Sequence, residues 1–128
     1  MKKSFSVHWK SSKQPRKQRK YKYNAPFHIR RRMLSAHLDK SLREKYKRRS
    51  FPLRKGDKIK IMRGNDKGKT STVSIVDLKA MKVYLEDIKR KNSAGREIHT
   101  PFEASNLLIT ELNLDDKMRK RAIERRLK

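Results

Sequence analysis

Residues 63–70 read RGNDKGKT and hold two of the chain's four glycines, followed at once by lysine and threonine. Such a stretch can hold phosphate, because the N–H groups of a glycine loop and a lysine ammonium converge on one anion. The nucleotide pattern G-x-x-x-x-G-K-[ST] fits Gly64, Gly68, Lys69 and Thr70 only if one intervening residue is missing. A nucleotide loop must also open a helix whose dipole faces the phosphates. Here Ser71-Thr72-Val73-Ser74-Ile75-Val76 follows, which is strand chemistry, and no strand-helix-strand unit is visible around it. An ATPase or GTPase site is excluded. The stretch reads instead as a hairpin turn, with Gly64 and Gly68 free to take positive φ and Asn65 and Asp66 suited to tight turns. Arg63, Lys67 and Lys69 then surround an exposed turn and suit a phosphate backbone.

Other reactive groups are sparse. Cysteine is absent, so disulfides, thiolate metal sites and cysteine nucleophiles are excluded together. His8, His28, His37 and His99 are scattered without ligand spacing, and no carboxylate pair sits in a metal-like context. No metal, cofactor, small-molecule substrate or enzymatic activity is expected; a nuclease or methyltransferase lacks the motifs it would need.

What the chain has in quantity is positive charge. Its 128 residues carry a formal net charge of +25 with 40% charged and 34% hydrophobic residues, which points to a polyanionic partner and to one small core with extensions. Residues 1–55 contain 20 of the 38 Lys and Arg but 2 of the 13 acids, so the N-terminal half is a basic arm. The longest apolar runs, Val83-Tyr84-Leu85 and Leu107-Leu108-Ile109, are too short for a membrane span or a signal-peptide core. No membrane insertion is expected, and the location is expected to be intracellular.

The elements that must display these cations follow from periodicity. Lys2 to Lys22, including KQPRKQRKYKY, has no hydrophobic period and reads as an extended tail. In NAPFHIRRRMLSAHL, Asn24 offers a cap and Pro26 a first turn for a short helix. A second helix is expected after Asp39, with Leu38, Leu42 and Tyr46 on one face. From Leu53 the period becomes two: Ile59 and Ile61, then the β-branched KTSTVSIVD, then Met81, Val83 and Leu85, and, after a turn at residues 92–95, Leu107 and Ile109. Four or five short strands in so few residues predict a mainly β fold, a small barrel. The C-terminal LDDKMRKRAIERRLK has acids first and cations last, matching the helix dipole, with Leu114, Met118 and Ala122 as its apolar stripe.

KGDKIKIMRGNDKGKTSTVSIVDLKAMKVYLED resembles a KOW motif, the strand-loop-strand signature of SH3-like barrels in ribosomal and transcription-elongation proteins, through Lys55-Gly56-Asp57, Ile59, Ile61, Gly64, Lys67-Gly68-Lys69, Val73 and Val76. The flanks KQPRKQRK, YNAPFHIRRRMLSAHLDKSLREKY, RRSFPLRKGD, SNLLI and ELNLDDKMRKR resemble the archaeal and eukaryotic-type members of the large-subunit ribosomal protein twenty-four family. Ser71 departs from a common glycine of the motif, and HTPFEASN from a usual histidine-proline pair before Ser105-Asn106.

The resemblance implies a structural constituent of the large ribosomal subunit, cytoplasmic on the ribosome. It would bind large-subunit ribosomal RNA near the 5′ end, act early in assembly, sit near the nascent-chain exit and touch neighbouring large-subunit proteins. The expected organisation is a basic N-terminal extension with two short helices over residues 1–52, an SH3-like KOW barrel over 53–112 and a C-terminal helix over 113–128. A KOW-type transcription-elongation module binding nucleic acid and RNA polymerase is the alternative.

Candidate RNA contacts are Arg16, Lys17, Arg19, Lys20, Arg30, Arg31, Arg32, Arg48, Arg49, Arg54 and Lys55, together with Arg63, Asn65, Lys67 and Lys69 on the turn shaped by Gly64 and Gly68. Guanidinium groups suit bidentate grip of phosphate or stacking on a base, and lysines supply charge. Trp9, Tyr21, Tyr23 and Phe27 are candidate stacking platforms, or else packing groups.

Overall fold

In the computed structural model, which describes residues 5, 6, 8 and 11–125, the basic N-terminal segment is built from helices and strands. Helix α1 covers Pro15–Asn24 and α2 covers Phe27–Met33; strand β1 (Ser35–Leu38), helix α3 (Lys40–Tyr46) and strand β2 (Ser50–Pro52) follow. The extended reading of residues up to Lys22 is therefore corrected over α1. Pro15 presets φ for the first turn, and the Arg, Lys and Gln that follow are good helix formers even without an apolar stripe. No residue of α1 is buried.

Asn24 ends α1, and Pro26, where it was expected within a first turn, occupies the N-cap position of α2. Asp39 stands at the N-cap of α3 as expected, although its side chain caps no backbone N–H. Leu38 belongs to a strand and not to the helical face with Leu42 and Tyr46. The SAHL alternation buries Ala36 and Leu38 completely and leaves Ser35 and His37 half-exposed. Four residues of alternation are too few to stand out beside a helix signal.

The remaining elements are β3 (Lys58–Ile61), β4 (Thr70–Asp77), β5 (Lys82–Lys91), β6 (Glu97–Phe102), a single 3-10 turn at Ala104–Asn106, β7 (Leu107–Glu111) and α4 (Lys117–Glu124). Hydrogen bonding links the strands in the order β2-β1-β7-β3-β4-β5-β6. Pairing is antiparallel except between β1 and β7, which run parallel through His37 and Leu108. The fold is thus a seven-stranded mixed sheet with helices, an open ladder larger than the expected four- or five-stranded barrel. The additional strands come from residues 35–38 and 50–52.

Burial follows the period-two pattern where it was clearest. Ile59, Ile61, Val73, Val83, Leu85 and Ile109 are fully buried, and Leu34, Phe51, Leu53, Leu107 and Ile123 belong to the same cluster. Each large aliphatic side chain among them contributes roughly 1.5–3 kcal/mol on burial. A register shift between Val73 and Ile75 interrupts the alternation of β4, so Ile75 points to solvent. Ser71, where the motif commonly has glycine, fits because its hydroxyl donates to Asp87 Oδ2 at 2.7 Å.

Candidate nucleic-acid interface

The turn between β3 and β4 is a hairpin loop. Gly68 N–H donates to the Ile61 carbonyl at 2.8 Å and Ile61 N–H to the Lys69 carbonyl at 2.9 Å, closing the loop. Gly64 and Gly68 have φ of +99° and +91°, the left-handed region for which glycine is suited. Arg63, Asn65 and Lys67 are on it, and all three are exposed. Lys69 is exposed too, but its ammonium is paired with Asp66 at 2.7 Å, so the cations of this turn that stand outside that ion pair are Arg63 and Lys67.

A second cationic surface depends on how α4 is seated. Asp57 is fully buried, and Arg119 of α4 is only 3% exposed. The guanidinium meets the carboxylate bidentately, at 2.6 Å and 2.7 Å, and also donates to the carbonyls of Asn113 at 2.8 Å and Pro52 at 3.2 Å. The Asp57 oxygens further accept the N–H groups of Arg54 at 2.9 Å and Asn113 at 3.0 Å. A buried carboxylate needs such full coordination to remain an anion without a large penalty.

The clasp fixes which face of α4 is inward. Arg119 and Ile123 are buried, and of the expected stripe Leu114 and Ala122 pack against the core while Met118 is 62% exposed. At the start of α4 the Asp116 carboxylate accepts from Met118 N–H at 2.8 Å and from Arg54. The Met118 N–H bond, with Arg54 adding to it, holds the Asp116 carboxyl below the usual aspartate range.

Between α2, β2 and α4 this packing leaves a groove of about 720 Å³. Arg31 and Arg32 line it from α2, Arg48 and Arg54 from the β2 flanks, and Arg125 from the end of α4. Arg48 and Arg119 each lie 5.3 Å from the Phe51 ring centroid, a cation–π arrangement that holds the guanidinium planes in place. Asp116 is the only acid lining the groove among the described residues, and its charge is engaged by Arg54 and the helix N-terminus. Such a surface attracts phosphates and offers several planar donors to them.

The other expected contacts are distributed elsewhere. Arg16, Lys17, Arg19 and Lys20 lie along α1, where no residue is buried, Arg49 stands just before β2, and Lys55 is exposed in the turn before β3. Arg30 is placed differently: its guanidinium donates to the carbonyls of Ala25 at 2.8 Å, Lys79 at 3.1 Å, Leu78 at 3.3 Å and Tyr23. It braces the α1–α2 junction against the turn between β4 and β5. Of the aromatic candidates, Tyr21 faces the Phe5 ring at 4.9 Å, Tyr23 and Phe27 are exposed, and Trp9 lies outside the described residues.

Sequence reasoning missed Asp57 and Arg119 as a pair, because they are 62 residues apart and nothing in the sequence around either one points to the other. Arg125, not among the candidate contacts named from the sequence, also belongs to the groove. No group of three or more His, Cys, Asp or Glu that could hold a metal ion occurs among the described residues. No helix among them is long and apolar enough to cross a membrane.

Comparison with known proteins adds two findings. A family model that describes the eukaryotic ribosomal proteins L26 and their archaeal L24-type counterparts matches residues 12–126. The chain is also similar to the large ribosomal subunit protein uL24 of Methanosphaera stadtmanae, 44% identical over 116 residues that cover 91% of this chain and 99% of that protein.

Proposed function

We propose a role in the large ribosomal subunit from one premise: the chain belongs to the ribosomal protein family that unites the eukaryotic L26 and archaeal L24-type proteins. In this reading it is a structural, non-enzymatic constituent of the subunit, cytoplasmic on the ribosome, and binds large-subunit ribosomal RNA directly. The carrying observation is the groove between α2, β2 and α4, where Arg31, Arg32, Arg48, Arg54 and Arg125 converge around a single engaged acid. The β3–β4 turn, with Arg63, Asn65 and Lys67, supplies a second contact, and α1 a third. Separate cationic faces suit several RNA segments meeting on one small protein.

Residues 53–112 act in this reading as an SH3-like KOW unit carrying the turn, with residues 1–52 as a basic extension and 113–128 as a closing helical segment. Contact with neighbouring subunit proteins, early action in assembly and a position near the nascent-chain exit extend the family resemblance. The transcription-elongation alternative is favoured by neither comparison.

Co-sedimentation is the direct test. The protein is expected to remain with large subunits through a high-salt wash, and recovery in the soluble fraction, or with RNA polymerase, would overturn the reading.

A further inference from the structure

The exposed aromatics of the N-terminal helices are not accounted for by packing. Tyr23 is 80% exposed and Phe27 55% exposed, so neither ring is seated in the hydrophobic core. Both line an open groove of about 850 Å³ between the α1–α2 junction and the turn joining β4 to β5. Its rim carries Arg19, Lys22 and Lys79, and no acid lines it among the described residues. Arg19 and Tyr23 are four apart on α1 and share a face.

The groove is held in shape before any ligand arrives. Arg30 ties the carbonyls of Tyr23 and Ala25 to those of Leu78 and Lys79, so both walls are joined by one guanidinium. The same group lies 5.9 Å from the Phe27 ring centroid and orients that ring. Since its donors point to these carbonyls, Arg30 acts as a brace and leaves ligand charge to Arg19, Lys22 and Lys79.

We propose that this groove takes an unpaired nucleotide base of RNA, stacked on Tyr23 and Phe27, with the flanking phosphates neutralised by Arg19, Lys22 and Lys79. The proposal rests on the RNA-binding reading above and adds to it a distinct kind of contact. Aromatic faces interleaved with cations match a single strand, whose bases present π-faces and whose backbone is anionic. Paired bases stay stacked inside a duplex and cannot reach the rings. A cationic peptide would be repelled by the same rim.

The test uses the full-length protein and two short single-stranded RNAs of equal charge, one with 2-aminopurine at its centre and one abasic there. Wild-type protein is expected to bind the base-bearing strand about tenfold more tightly, with quenching of the 2-aminopurine emission. Tyr23→Leu with Phe27→Leu is expected to remove both the preference and the quenching while leaving the salt slope unchanged. Tyr23→Phe, which keeps the ring, is expected to retain both. Equal affinity for the two strands, or a preference that survives the double substitution, overturns the proposal. So does loss of preference in Tyr23→Phe. An Arg31→Ala, Arg32→Ala control in the other groove should weaken both strands equally. If wild-type protein binds neither strand nor ribosomal RNA, the broader reading fails as well; if it binds ribosomal RNA but ignores the base, only the stacking site fails.

Discussion

The Asp57–Arg119 pair shows how a single residue can decide the placement of a whole surface. Removing one partner leaves the other charge buried and uncompensated, so Arg119→Met should lower stability by about 3–5 kcal/mol, measured by urea unfolding. Arg119→Lys should not restore it, because one ammonium cannot reproduce the bidentate grip and the two carbonyl contacts. Gly56 is a second sensitive position nearby. Its φ is +86° and an added Cβ would lie 2.8 Å from Asn113 Nδ2, whereas a Cβ at Gly64 meets nothing within 4 Å. Gly56→Ala should therefore lower the thermal midpoint more than Gly64→Ala, the latter costing about 1 kcal/mol for backbone conformation alone. In the sequence, the turn glycines were legible because their chemistry is local. Asp57 was visible only as part of a motif, and its partner depends on tertiary packing that no spacing announces.

Elements carry the next level of control, and α4 is the clearest case. The Asp116 carboxylate that caps it is held below its ordinary range, so its contribution is complete above that range and is lost as pH falls through the lowered value. Amide exchange in α4 should accelerate in acid before that of β3 and β7. Asp116→Asn keeps a capping oxygen but removes the titration, so its α4 exchange should no longer show that acid step. Helix α1 behaves oppositely, since none of its residues is buried. Deleting residues 1–22 should leave cooperative unfolding intact and reduce affinity for ribosomal RNA; loss of a cooperative transition would show that the segment supports the fold. Strands with strict alternation, such as β3, were readable directly. β1 was not, because its four residues lie between helix signals and gain their burial from partners, β2 and β7, that are distant in sequence.

At the scale of the molecule, charge was the most legible property and its arrangement the least. The excess of Lys and Arg announces a polyanion, yet only folding gives the cations different parts, such as the braced Arg30, the clasped Arg119, the paired Lys69 and the exposed Arg63. Affinity for ribosomal RNA should fall by roughly 0.7–0.9 log units per log unit of salt for each phosphate neutralised. Triple substitution of Arg31, Arg32 and Arg125 by Ala should lower that slope by about three such increments if each neutralises one phosphate. An unchanged slope would remove the groove from the interface.

The parallel pairing of β1 with β7 also has a consequence in time. A chain emerging from its N-terminus presents Ser35–Leu38 long before Leu107–Glu111 exists to lie beside it. The inner edge of β1 must wait until β7 has been made, and the Arg119 clasp forms later still. A product that stops short of α4 would carry most of the positive charge without the seated helix that forms one wall of the main groove. Synthesis of α4 and formation of this groove are thereby joined by topology, so chains that lack α4 also lack a surface that chains with it display.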